Sequence, residues 1–235
     1  IQRCVAAARI WIVADSGGMA ESVARSERRE LCELMTTLGP DAPTLCEGWT
    51  AHHLAAHLHI RESDPLATVG VVMPFLKITD KRMHKLMTEM SFDDLVELVA
   101  KGPTGLSPFR IPVVDAKANS AEFFVHHEDL RRGGPYPVGP RVLPPQTDEI
   151  LWNTAVGMAG FRLRKAKVGI ILQRVRDGRV SDEQALVATG RTPVTVTGEP
   201  GELLLWLFGR ESAAQVQLTG PANGLARVRS ISLAI

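Results

Sequence analysis

Glu122-Phe-Phe-Val-His126 is the stretch on which the fold turns. Its carboxylate and imidazole are spaced i, i+4, which on a helix sets both side chains on one face, a turn apart. Phe123, Phe124 and Val125 lie between them, so the helix is expected to be buried over much of its circumference. A buried carboxylate and imidazole need partners, and a divalent metal supplies them. One more nitrogen, from another helix, would close the set. The best candidate is His57, in Trp49-Thr-Ala-His52-His53-Leu-Ala-Ala-His57-Leu58.

The neighbourhood offers competing donors. His52, His53, His57 and His59 crowd one segment, and His53 and His57 are themselves i, i+4. His126 and His127 are adjacent and point about 100° apart on a helix, so at most one faces a given site. Glu128 and Asp129 add oxygens, on other faces than Glu122. The plain reading of a Glu/His i, i+4 pair is a solvent-facing helix pair contributing a few tenths of a kcal/mol.

With 235 residues the chain can bury a large core in one or two domains. Apolar residues make up 45% and charged residues 23%, as in ordinary globular proteins, and a net charge of +1 argues against a polyanion binder acting with its whole surface. Cys4, Cys32 and Cys46 are odd in number and widely spaced, which is no disulfide framework and points to a reducing, cytoplasmic compartment. No apolar run reaches the roughly 18 residues of a membrane span. Residues 1–18, upstream of Met19, carry no functional weight in this reading.

Helical patterning fills the first two-thirds. Helices are expected over Ser22–Leu38, from a Thr50 N-cap to about Arg61, over Pro74–Met90, from Ser91 to Gly102-Pro103, from an Asp115 N-cap to a stop before Gly133-Gly134-Pro135, and from Thr147 to about Lys167. Beyond residue 168 the pattern becomes strand-like at 168–172, 184–188, 194–197 and 215–219, with short helices at 199–208 and 222–229. The fold class is therefore α+β: a helical unit over 19–167, then a small α+β unit over 168–235. A basic run from Arg162 to Arg179 has only Asp177 opposing it and one nearby aromatic, Phe161, so it reads as a solvated face and nucleic-acid binding is not expected. Trp152 and Trp206 look exposed and leave room for a homodimer.

The pattern Leu45-Cys-Glu-Gly-Trp49-Thr-x6-His57-Leu58, followed by Glu122-x3-His126-His127-Glu128-Asp129-x-Arg131, resembles the DinB-like metal-binding superfamily, and within it the mycothiol-dependent maleylpyruvate isomerase-like family. The resemblance implies a four-helix bundle holding one divalent metal through His57, Glu122 and His126. Zinc is the expected ion, and Ni(II), Mn(II) and Fe(II) suit the same donors. It also implies a C-terminal domain resembling the sterol carrier protein fold, matched by Val194-Thr-Val-Thr-Gly198 through Gly209-Arg210, from which an arginine reaches the active site; Arg210 is the candidate.

Three protein ligands leave the metal open, which is the catalytic arrangement. The expected activity is that of a mycothiol-dependent isomerase or S-transferase, in which the thiol cosubstrate binds the metal as thiolate and attacks a small electrophilic substrate. Arg210 would neutralise a substrate carboxylate, or simply complement a helix C-terminus. His127 would serve as a general base, or else lie exposed. Arg131 reads as an ion-pair partner of Glu128 or Asp129, and Cys46 as a buried, inert thiol. The competing class is a small-molecule or lipid carrier with a structural metal, closed by a fourth ligand such as His53.

Overall fold

The computed structural model describes residues 22–63 and 78–233, apart from Leu106, Pro137 and Thr192. Helix α1 (Val23–Leu38) starts at a Ser22 cap and stops at Gly39, whose φ of 82° suits glycine. Helix α2 (Ala51–Ser63) starts at Thr50 as expected. There His53 Nδ1 accepts from the Thr50 backbone N–H at 3.2 Å, a histidine version of the capping box. Helix α3 (Ile78–Glu89) is followed by α4 (Phe92–Lys101), capped by Ser91. The expected start of α3 at Pro74 lies outside the described residues.

Helix α5 (Pro112–Arg132) begins three residues before the expected Asp115 cap. Proline fits a first helical turn, so Pro112 opens it. Asp115 is instead buried, and accepts from Asn119 Nδ2 at 2.7 Å and from Arg28 at 3.5 Å. Helix α6 (Pro145–Arg162) ends earlier than expected, and a 3₁₀ turn at Arg164–Ala166 leads into Lys167 at φ 54°.

Four strands follow: β1 (Ile170–Arg176), β2 (Arg179–Ala188), β3 (Val194–Gly198) and β4 (Gln217–Thr219), in the order β2-β1-β3-β4. β1 pairs antiparallel with β2 and parallel with β3, and β4 closes antiparallel on β3. Helix α7 (Pro200–Leu207) connects β3 to β4, and α8 (Ala222–Arg229) follows. The α+β class holds. Among the described residues, no helix is long and apolar enough to cross a membrane.

Two apolar cores meet at α5. Leu31, Met35, Leu54, Leu58, Leu95, Phe123 and Leu130 centre the first, among α1, α2, α4 and α5, with α3 packed on α2. Phe124 and Val125 turn to the second, with Leu151 and Trp152 of α6, Ile170 and Leu172 of β1, Val196 of β3 and Leu203 of α7. Helix α6 thus packs with the sheet, although it precedes residue 168. Helix α7 comes so close to α5 that a Cβ on Gly201 would lie 2.7 Å from Phe124 Cζ. Trp152 and Trp206 are core residues, each 4% exposed, which corrects the expectation that they face outward. The basic run is also partly internal. Arg174 is buried over Trp152 and pairs with Asp148, Glu149 and Glu183, acids that lie outside the run.

Charged groups stitch α5 to the C-terminal residues. Arg132 donates from Nε to Glu128 at 2.6 Å, from Nη2 to Glu202 of α7 at 2.7 Å, and from Nη1 to the Ala213 carbonyl at 3.1 Å. Glu202 also accepts from Gln215 N at 2.7 Å. All three side chains are nearly inaccessible to water. Arg132→Met leaves the buried Glu202 without its cation, while Glu128 keeps Arg131 and Arg141, so a loss of about 3–5 kcal/mol is expected, read as a lowered midpoint in urea unfolding.

Candidate metal centre

Helices α2 and α5 place His57, Glu122 and His126 together. His57 Nε2 lies 3.4 Å from Glu122 Oε1, and His126 Nε2 lies 3.3 Å from the same oxygen. All three donor atoms fall within 4.8 Å of one another. Glu122 and His126 are one turn apart on α5, as the i, i+4 spacing requires. The two imidazoles meet edge to face at 5.2 Å, and the Trp49 ring covers His57 at 5.1 Å.

The donor set fits a divalent cation. His126 Nδ1 faces Asp129 Oδ2 at 2.9 Å, and a carboxylate only accepts, so the proton belongs on Nδ1. Nε2 is then the nitrogen turned toward Glu122. Burial favours neutral His57, outweighing its hydrogen bond to Glu122, so its pKa is lowered; neutral imidazole is the ligand form. Burial acts the same way on His126, but Asp129, Cys46 and Glu122 outweigh it and hold that ring charged well above the usual histidine range. Burial would raise the Glu122 pKa, yet Arg61 and the two histidines keep it well below the usual carboxylate range. A positive charge between these carboxylates is what the site calls for, and either a proton or a metal ion supplies it.

The surroundings hold these groups in place. Arg61, a turn beyond His57, lies with Nε 3.2 Å from Glu122 Oε1, is tied to Asn119 and the Ala118 carbonyl, and lies over the Phe109 ring at 4.9 Å. The segment carrying Cys46 and Trp49 is pinned to the end of α5, where Leu45 N donates to the Asp129 carbonyl at 3.0 Å. Gly133 permits this approach, because a Cβ there would sit 2.3 Å from the Pro43 carbonyl oxygen.

Arg210 arrives just after α7. It grips Asp129 with Nε at 2.8 Å from Oδ1 and Nη2 at 2.6 Å from Oδ2, while Nη2 also reaches Cys46 Sγ at 3.1 Å. Burial raises the Asp129 pKa, but the hydrogen bonds from Arg210 and His126 outweigh it and hold the carboxyl far below the usual range.

His127 lies outside the His57–Glu122–His126 group and clusters instead with Glu27 and Glu30. It is buried rather than exposed, with Nδ1 2.9 Å from Glu27 of α1. Glu27 in turn accepts from Arg141 at 2.9 Å. Arg131 forms the expected ion pair with Glu128 at 2.8 Å. His53 Nδ1 is engaged at Thr50, so nothing here supports it as a fourth ligand. Cys46 departs from the inert, buried thiol expected of it: it is half-buried beside His126, Asp129 and Arg210. The sequence reading named Asp129 only as a possible oxygen donor on another face than Glu122, and not as the partner of His126. Its i, i+3 spacing from His126 was the available signal.

Burial pushes the Cys32 thiol up to about 12. Iodoacetamide at pH 8 is therefore expected to modify Cys46 in the folded protein and Cys32 only after denaturation, as peptide mass mapping will show. Burial raises the Glu27 pKa, but hydrogen bonds from His127 and Arg141 prevail and hold it below 4.5. The unfolded chain then binds more protons than the folded one just below that pH, so the stabilisation from Glu27 is full above about 4.5 and lost on acidification. Thermal midpoints of the native chain and Glu27→Gln are expected to converge as the pH falls from 7 to 3.

Residues 23–111 match the family model described as the mycothiol maleylpyruvate isomerase N-terminal domain. Two solved structures share the fold. One is a mycothiol-dependent maleylpyruvate isomerase, with TM-score 0.54 and 17% identity; the other is a histidine-to-alanine variant of such an isomerase, with TM-score 0.55 and 16% identity. Each alignment covers 84% of this chain and 90% of the other. At such identity the likeness establishes the fold. No curated protein matches the chain. The segment that includes Trp49 and His57 is thus similar in sequence to the N-terminal domain of mycothiol maleylpyruvate isomerases, and the fold over most of the chain is similar to that of such an isomerase.

Proposed function

We propose that this chain is a divalent-metal-dependent enzyme of the maleylpyruvate isomerase type, using mycothiol as thiol cosubstrate on a small electrophilic substrate. The observation that carries the reading is the convergence of His57 Nε2 and His126 Nε2 on Glu122 Oε1. The N-terminal family match supports the thiol cosubstrate. The DinB-like bundle and the sterol-carrier-like C-terminal domain remain part of this proposal.

His57, Glu122 and His126 would hold the ion. When bound, a divalent ion lowers the pKa of a coordinated thiol or water and so supplies a nucleophile at neutral pH. With three protein donors the position for that ligand stays open. The protein's own groups do the rest. Asp129 keeps the His126 proton on Nδ1, and Arg61 orients Glu122 through Nε. The Trp49 ring packs against the His57 ring at 5.1 Å and restricts its rotation. Addition of a thiol to an unsaturated acid, rotation about the bond made single, and elimination of the thiol would isomerise the substrate; addition alone would conjugate it.

Zinc-loaded protein purified without a histidine tag is expected to contain near one metal per chain by plasma mass spectrometry. His57→Ala and Glu122→Ala are expected to lose it while keeping the native helical circular dichroism. Mycothiol-dependent turnover of a cis-unsaturated keto acid is expected only in the loaded native chain. Retained metal in both variants overturns the ligand set, and turnover indifferent to mycothiol overturns the cosubstrate.

A further inference from the structure

Arg210 was expected to face a substrate carboxylate, but its guanidinium is already engaged. Nε and Nη2 grip Asp129, Nη2 also reaches Cys46 Sγ, and Nη1 donates to the Phe208 carbonyl at 2.6 Å. Four of the five N–H groups of an arginine are thereby used. No two-pronged edge is left for a second carboxylate. The Asp129 side chain is inaccessible to water and has a second partner, His126 Nδ1 at 2.9 Å.

We propose that Asp129 is the positioning residue of the centre, fixing the tautomer and ring orientation of His126, and that Arg210 acts through Asp129 rather than on substrate. The inference rests on the metal reading given above. A carboxylate that accepts from Nδ1–H turns Nε2 toward the other donors and raises its basicity. Arg210 holds that carboxylate by both oxygens, so Asp129 cannot rotate away from His126. The Leu45 N–H on the Asp129 carbonyl fixes the neighbouring loop to the same residue. A residue beyond α7 thus governs an imidazole on α5. Loss of Arg210 is felt first as weaker metal binding, and in kcat rather than in KM.

The test is zinc affinity, by competition with a chromophoric chelator, in the native chain, Asp129→Asn, Arg210→Met and the double variant. The double variant leaves neither charge buried alone, so it reports even if Asp129→Asn folds poorly. Asp129→Asn is expected to weaken zinc binding about 10–100-fold, the usual effect of removing the partner of a ligand histidine. Arg210→Met is expected to weaken it less, and the double variant to match Asp129→Asn within about twofold, because coupled sites are not additive. Asp129→Asn within about twofold of the native chain, or a double variant showing the product of the single losses, overturns the proposal.

Imidazole NMR of the metal-free proteins gives a readout independent of the ion. A downfield Nδ1–H proton on His126 is expected in the native chain and absent in Asp129→Asn. Native protein that binds no zinc overturns the metal reading alone, and the positioning role is then decided by that proton: its persistence in Asp129→Asn overturns it.

Discussion

Helix α5 is buried on nearly every side, and that constraint organises the molecule. A charged or polar group in such a place must be paired, because an unpaired buried charge costs several kcal/mol. Each of these residues on the helix accordingly finds a partner from elsewhere in the fold. Asp115 meets Arg28, and Asn119 meets Glu62. Glu122 meets Arg61 and His57, and His127 meets Glu27. Glu128 meets Arg141, Asp129 meets Arg210, and Arg132 meets Glu202. The partners come from α1, α2, the loop before α6, α7 and the residue run after it. Positioning the helices, closing the sheet against them and assembling the site follow from the same pairing requirement.

The candidate centre is where this pairing leaves two carboxylates, Glu122 and Asp129, on either side of one imidazole. Glu122 and Asp129 both lie near His126, whose two ring nitrogens face one each. Arg61 and Arg210 balance the carboxylates from opposite directions, one from α2 and one from beyond α7. The protein therefore has a polar axis running Arg61–Glu122–His126–Asp129–Arg210 through an apolar interior. Such an axis has its hydrogen-bond directions fixed before any ligand arrives, which is the physical meaning of preorganisation. Cys46 and Trp49 line it because one loop is fastened to the end of α5.

Trp152 and Trp206 were expected to face outward; in the fold they occupy the second core. Arg174 read as one member of a basic face, yet it lies buried among three acids from α6 and β2. Cys46 read as inert because a lone thiol carries no spacing signal. In each case the deciding neighbours are far away in sequence, and local pattern holds no record of them.

What the sequence determined by itself was local and periodic. The i, i+4 spacing of Glu122 and His126 put both on one helical face, the Thr50 cap started the helix that bears His57, and β-branched runs marked the strands. Those features depend on backbone geometry and nearest neighbours, so they can be read without a fold. Only the tertiary structure decided that α2 and α5 face each other with His57 across from Glu122. Only it decided that Arg210, 81 residues after Asp129 in the chain, closes on that carboxylate. Long-range pairing of this kind is fixed by burial of whole helices and by the need to satisfy each buried charge, which no short window of sequence contains.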